Sequence, residues 1–109
     1  MVERIHKLDT IFASLSDPTR RDILARVRER NMSVGTIAGH YKMSLAAVAK
    51  HLAVLERAGL VHKTRQGKEQ VVTINPKALA AANEYLETYR QLWEKRLDSL
   101  DSFIKTSKQ

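Results

Sequence analysis

Between Ser33 and Gly59 the chain carries two short helical signatures with only a few residues of turn between them, and that spacing narrows the folds open to it. The first, SVGTIAGHY, has Ser33 as its cap and Ile37 and Ala38 as its inward residues. Gly35 and Gly39 weaken it by about 1 kcal/mol each relative to alanine, so it needs tertiary packing, and their small size allows close approach to a neighbour. After the segment YKM, Ser44 caps the stretch SLAAVAKHLAVLERAGLV, and Gly59 stands where a left-handed residue ends a helix. Val48, Leu52 and Leu55 point inward at spacings of four and three. Leu45, Ala46, Ala49, Lys50 and, at the side, Ala53 are left for the other face. Two short helices joined by so tight a turn form a helix-turn-helix.

The flanking segments complete the frame. Ile5, Leu8, Ile11, Phe12 and Leu15 recur at helical spacing and predict a first helix through about residue 14. A second follows in SDPTRRDILARVRERN, with Asp17 as cap, Pro18 at the first helical position and Ile23, Leu24 and Val27 inward; Asn31 is its stop. After Gly59, LVHKTRQGKEQVVTIN reads as a two-stranded hairpin with Gly67 in the loop between Arg65 and Lys68. A helix-turn-helix followed by a basic hairpin is a winged helix. Its functional reading puts a recognition helix in the major groove and the wing along the backbone; the alternative is the same fold used only for protein contacts.

Asn75 and Pro76 then open a last helix on which Leu79, Ala82, Leu86, Tyr89, Trp93, Leu97, Leu100 and Ile104 form one stripe. Unbroken to about residue 105, it spans on the order of 40 Å, more than a small winged domain covers. The surplus stripe, centred on Trp93, most simply meets its own copy in a symmetric dimer. A membrane-surface helix is the competing reading, but the far face mixes Glu84, Glu87, Glu94 and Asp98 with its bases. The expected class is therefore mainly α with a small β-hairpin: one winged helix-turn-helix domain over 1–109, with dimerisation helices at 1–15 and 76–105, the helix-turn-helix at 33–58 and the wing at 60–75.

Nineteen Lys and Arg against twelve Asp and Glu give a formal charge of +7, which favours a polyanionic partner. Cysteine is absent, so thiolate metal sites and disulfides are excluded, and no run reaches the roughly 18 apolar residues of a membrane span. The chain is read as cytoplasmic, where the available polyanions are DNA and RNA. His6, His40, His51 and His62 are dispersed, with no ligand pair at helical spacing, and the carboxylate pairs Glu84 with Glu87 and Asp98 with Asp101 read as solvated charge. There is no P-loop, dinucleotide glycine pattern or nucleophile elbow. No metal, cofactor or catalytic residue is expected.

The stretches LSDPTRRDIL, MSVGTIAGHYKMSLAAVAKHLAVLERAGLV and KTRQGKEQVVTIN, in this order and spacing, resemble the ArsR-type winged-helix transcriptional repressors. The tail YLETYRQLWEKRLDSL is similar to the autorepressor-like branch that lacks the usual metal sites, and the likeness covers about residues 8 to 104. The resemblance implies a homodimer on a short inverted repeat in double-stranded DNA, usually blocking transcription. Its interface would run through the first and last helices: Ile5, Leu8, Phe12, Leu86, Tyr89, Trp93, Leu97 and Leu100. It puts Ser44, Leu45, Ala46, Ala49, Lys50 and His51 on the DNA-facing side of the recognition helix. Ser33 and Thr36, with Lys63, Arg65 and Lys68 on the wing, would hold phosphates.

Two positions depart from the family pattern. Members commonly have an arginine-like polar residue where Leu45 stands and a serine where Ala49 stands. Leu45, Ala46 and Ala49 can pack on thymine methyls but offer guanine no fork of donors, so affinity is expected mainly from phosphates, with thymine contacts and DNA shape adding specificity. Two ambiguities stay open: Leu45 is either on this face or partly core, and His51 either contacts DNA or packs between helices. Two other function classes stay open as well: a regulator with an apolar effector near Tyr89 and Trp93, and an interaction module without DNA binding.

Overall fold

The computed structural model describes residues 2–107, with side chains from Lys7 onward. In chain order the elements are α1 (Val2–Ser14), α2 (Pro18–Glu29), β1 (Met32–Ser33), α3 (Val34–Ala38), α4 (Leu45–Arg57), β2 (Val61–Gln66), β3 (Glu69–Ile74) and α5 (Pro76–Ser107). They divide into two compact units, Met1–Leu79 and Ala80–Gln109.

Local chemistry sets the helix starts of the first unit. Asp17 accepts the Arg20 amide at 3.0 Å, Ser33 accepts that of Thr36 at 3.1 Å, and Ser44 accepts that of Ala47 at 3.1 Å. Each bond satisfies one of the amides that a first helical turn leaves without an intrahelical partner. At the other end of α1, the orphan carbonyls are taken by arginines of α2. Arg20 Nε donates to Ser14 O at 2.6 Å, its Nη2 donates to Ala13 O at 3.2 Å, and Arg21 Nη1 donates to Leu15 O at 2.9 Å.

The core lies under α4. Val48, Leu52 and Leu55 are fully buried together with Ile23, Ile37, Leu60, Val61 and Val72, while Ile11 and Val27 are nearly so. At about 1.5–3 kcal/mol for each large apolar side chain, this cluster supplies the main drive to fold the unit. Ser14 is the one buried polar residue among those described, and its hydroxyl donates to Ile11 O at 2.7 Å.

The sheet differs from expectation. It has three antiparallel strands in the order β1-β3-β2, because the extended pair Met32–Ser33 joins the hairpin's free edge opposite Val72 and Val71. Two residues between helices carry no periodic signal, so this strand is set by tertiary pairing alone. Ala38 is only half-buried, whereas Ile37 is wholly inside. Gly35 serves no close approach, since a Cβ there would meet only Ser33 Oγ, at 3.9 Å, whereas one on Gly39 would lie 3.4 Å from Thr36 O of its own turn.

The hairpin turns at Gly67 and Lys68, with Gln66 paired to Glu69. Gly67 has φ +63° and Lys68 a negative φ, the Gly-first pattern of a type II′ turn, which matches strand twist. Where α4 meets β2, Gly59 at φ +78° closes a Schellman motif: Leu60 N–H donates to Leu55 O at 3.0 Å and Gly59 N–H to Glu56 O at 2.9 Å. Asn75 ties the far end of the hairpin to this cap. Its amide N–H donates to Leu60 O at 2.9 Å, its side-chain Nδ2 donates to Gly59 O at 2.8 Å, and its Oδ1 accepts the Lys77 amide at 3.2 Å.

The second unit is one helical length. All 32 residues of α5 are helical, ~48 Å at ~1.5 Å per residue. Arg90 is paired with Glu87 and Glu94, and Lys105 with Asp101. No helix among the described residues is long and apolar enough to cross a membrane.

Asn75→Ala removes a helix cap and the donor to Gly59 O together, and is expected to lower unfolding free energy by about 2 kcal/mol in urea titration. Asn75→Asp keeps the cap acceptor and should lose about half as much.

Candidate nucleic-acid interface

The inner and outer faces of α4 are sharply divided. With Val48, Leu52 and Leu55 held inside, Leu45, Ala46, Ala49 and Lys50 are all exposed and Ala53 is at the margin. Leu45 is 60% exposed, so it belongs to the outer face and not to the core. Its place in the first helical turn follows directly from the Ser44 cap, which fixes where the helix begins.

His51, expected on the DNA-facing side, lies at the border of that face. Its side chain is only 22% exposed, and Nδ1 lies 3.5 Å from Arg20 Nη1 and 3.8 Å from Asp17 Oδ2. The ring therefore packs against the start of α2, which is the helix-packing alternative. Arg20, absent from the expected set, thereby joins three elements: it caps α1, lies in the first turn of α2 and touches α4 through His51. Its only sequence signal is its position three residues after the Asp17 cap.

The wing cations also separate. Val61, Lys63 and Arg65 share one face of β2, with Val61 buried at its base. Lys63 is held low on that face, its Nζ 3.5 Å from Glu56 Oε1 at the end of α4. Lys63, expected to hold a phosphate, thus forms an ion pair that links the wing to the helix. Arg65 and Lys68 are exposed towards the tip, Arg65 Nε donating to Gly67 O at 3.3 Å.

Ser33 and Ser44 each accept one backbone amide as caps. The Ser33 hydroxyl also donates to Thr36 Oγ1 at 2.9 Å, leaving the Thr36 proton as the outward donor of that pair. Beside them, Arg26 Nε donates to Asp22 Oδ2 at 2.9 Å, and Arg26 Nη1 lies 3.1 Å from His40 Nδ1. The Tyr41 hydroxyl donates to the same Asp22 oxygen, which ties the turn before α4 to α2. Burial first, and then this bond, push the Tyr41 hydroxyl up to about 12. The Tyr41 hydroxyl, followed by Arg26, holds the Asp22 carboxyl below its ordinary value of 3.8. An open polar groove of about 630 Å³ lies nearby, between Arg26, Arg30, Thr36, His40 and Glu69.

Of the expected interface residues, Leu8 and Phe12 on α1 are half-buried, and Ile5 lies outside the residues whose side chains are described. On α5, Leu86, Tyr89, Trp93, Leu97 and Leu100 are all exposed, Trp93 at 61%. Tyr85, Leu92 and Phe103 widen the stripe beyond the residues the spacing singled out, and Ile104, which it did single out, is exposed as well. No group of three or more potential metal ligands occurs among the described residues.

The Asp22 linkage has a definite sign. A carboxylate whose folded pKa is depressed contributes stability that is present above the unfolded value and lost as pH falls through the folded one. Tyr41→Phe should therefore destabilise the protein by about 1 kcal/mol at pH 7, with the difference shrinking below pH 4, as read from urea midpoints.

The sequence pattern described as a helix-turn-helix domain matches residues 15–64. The HTH-type transcriptional regulator Rv2034 of Mycobacterium tuberculosis is 34% identical over 96 residues, covering 88% of this chain and 87% of that protein. The transcriptional repressor SdpR of Bacillus subtilis is 32% identical over 72 residues, 66% of this chain and 80% of that protein. The crystal structure of an ArsR family transcriptional regulator superposes with a TM-score of 0.75 at 31% identity, covering 82% of this chain and 92% of the other. With its helix-turn-helix, its wing and relatives of this similarity along most of its length, the chain belongs to the ArsR family of winged helix-turn-helix transcriptional regulators.

Proposed function

We propose that this regulator is a cytoplasmic repressor that binds an inverted repeat in double-stranded DNA as a homodimer, acting by binding and not by catalysis. The observation that carries the reading is the outer face of α4, solvent-facing along Leu45, Ala46, Ala49 and Lys50 while its inner face is locked in the core. A helix so held is a rigid body of the size a major groove accepts. The formal charge of +7 supplies the attraction to phosphates that such docking needs.

In this reading α4 lies in the groove and Lys50 reaches a phosphate or a base edge from it. Arg65 and Lys68 meet the backbone from the wing, and Thr36 donates to a phosphate near the start of α3. Ser33 and Ser44 act mainly by fixing the two helix starts, while Lys63 and His51 hold the wing and α4 in place.

The dimer rests on the stripe from Leu86 to Leu100, with Leu8 and Phe12 of α1 as the second contribution. Large apolar side chains left exposed in succession along one helix mark an interaction surface. A second copy of the same stripe is self-complementary about a two-fold axis. Two winged units joined in this way match two half-sites about one helical turn (~34 Å) apart.

Charge reversal tests the DNA surface. Lys50→Glu and Arg65→Glu are each expected to abolish binding to DNA selected from a random duplex library, with the dimer intact by sedimentation. Normal binding by Lys50→Glu would refute the placement of α4. Trp93→Ala should weaken dimerisation by about 2 kcal/mol, roughly thirtyfold, measured by sedimentation equilibrium. Affinity for the full repeat should fall as a consequence, because one half-site alone loses the contribution of the linked module.

A further inference from the structure

The outer face of α4 has an unusual chemical content for a surface placed against base edges. Leu45, at 60% exposure, is its only large side chain besides Lys50; Ala46 and Ala49 add one methyl each. The polar groups that flank the face each have a partner within the fold. Ser44 Oγ accepts the Ala47 amide, and His51 Nδ1 faces Asp17 and Arg20. The acidic residue near the end of the helix, Glu56, is paired with Lys63.

Each base edge in the major groove asks for a particular partner. Guanine is read by a fork of donors, adenine by a carboxamide and cytosine by an acceptor. No arginine, asparagine, glutamine or free carboxylate stands on the outer face between Leu45 and Ala53. Lys50 brings a single ammonium, which serves a phosphate or a guanine edge without bidentate geometry. Thymine is the exception among the bases, since its 5-methyl group is satisfied by apolar contact. An exposed leucine alone says little about function. Here the leucine stands in the first turn of the helix, where recognition helices meet base edges, and Lys50 is the one polar side chain of that face between Leu45 and Ala53.

We infer that α4 selects its half-site by packing on thymine 5-methyl groups, with Leu45 as the specificity-determining residue and the methyls of Ala46 and Ala49 permitting close approach. This rests on the reading that α4 enters the major groove, and it adds which bases it meets there. A/T-rich half-sites follow from the chemistry of the face.

The test uses the full chain and the duplex it enriches from a random library. Each thymine of the enriched half-site is replaced in turn by deoxyuridine, which deletes the 5-methyl and keeps the Watson–Crick edge. Loss of one buried methyl contact is expected to weaken binding about fourfold. Leu45→Ala, on a residue outside the core, should show an unchanged thermal midpoint and should abolish the uracil effect at one thymine position while retaining it elsewhere. An enriched repeat whose thymines are all insensitive to uracil overturns the inference and leaves the DNA-binding reading standing. A uracil effect equal at every position in wild type and Leu45→Ala also overturns it, since the methyls then act through duplex shape. Failure to enrich any sequence overturns both readings.

Discussion

The geometry of this protein depends on the junction at Gly59 and Leu60. The Schellman turn stops α4 and sends the chain into β2 at a fixed angle. Leu60 is buried beside Leu55, so the cap is also a core contact. Asn75 then closes the loop from the other side, holding the carbonyls of Gly59 and Leu60 with its side chain and its backbone. The two strands of the wing therefore leave from, and return to, the same pair of residues. Only a residue that tolerates positive φ fits at the first of them: the left-handed conformation costs an L-residue with a Cβ about 1–2 kcal/mol. The ion pair between Lys63 and Glu56 repeats the connection one step further out. Helix and wing are thus tied by the cap, by Asn75 and by the ion pair.

What was legible in the sequence was local. Asp17, Ser33 and Ser44 each form the predicted cap, and Gly59 and Gly67 take positive φ where a helix end and a hairpin turn require it. Val48, Leu52 and Leu55 are inside because a period of 3.6 residues leaves an amphipathic helix one way to bury itself. The failures were all long-range. Strand β1 exists only because β3 offers it an edge, and nothing in the residues Met32 and Ser33 announces that. Lys63 reads as a wing cation until the strand register turns it to the side of β2 where Glu56 waits. His51 sits on a shoulder of α4 where periodicity leaves both orientations open, and Arg20, 31 residues earlier in the chain, decides between them. Of the candidate surface, the exposure of Leu45, Ala46, Ala49, Lys50, Arg65 and Lys68 was readable and the partners of His51 and Lys63 were not, since polar side chains take their partners from whatever the fold brings near.

The division between the faces of α4 separates two demands on one helix. Its inner face must pack without voids, so it is built from branched aliphatic residues that tolerate little change. Its outer face makes no core contact, so substitutions there are expected to have little effect on stability. That separation holds only while the polar residues at the border stay engaged. Ser44 and His51 are such residues: each lies beside the binding face and each contributes to holding the helix in place.

The second unit poses a different physical problem. Along α5 from Tyr85 onward, the apolar stripe is exposed and the polar face carries ion pairs such as Arg90 with Glu87 and Glu94. Such pairs contribute about 0.2–0.5 kcal/mol each to an isolated helix, and helices without a packing partner are marginal in water. Burying a stripe of this kind contributes several times more, at about 1.5–3 kcal/mol per large side chain. In the proposed homodimer the helix and the interface thus stabilise each other, and the order of this segment depends on protomer concentration. The affinity for a two-half-site operator inherits that dependence. In that homodimer, dilution is expected to separate the two winged units and to expose the stripe of each α5 together.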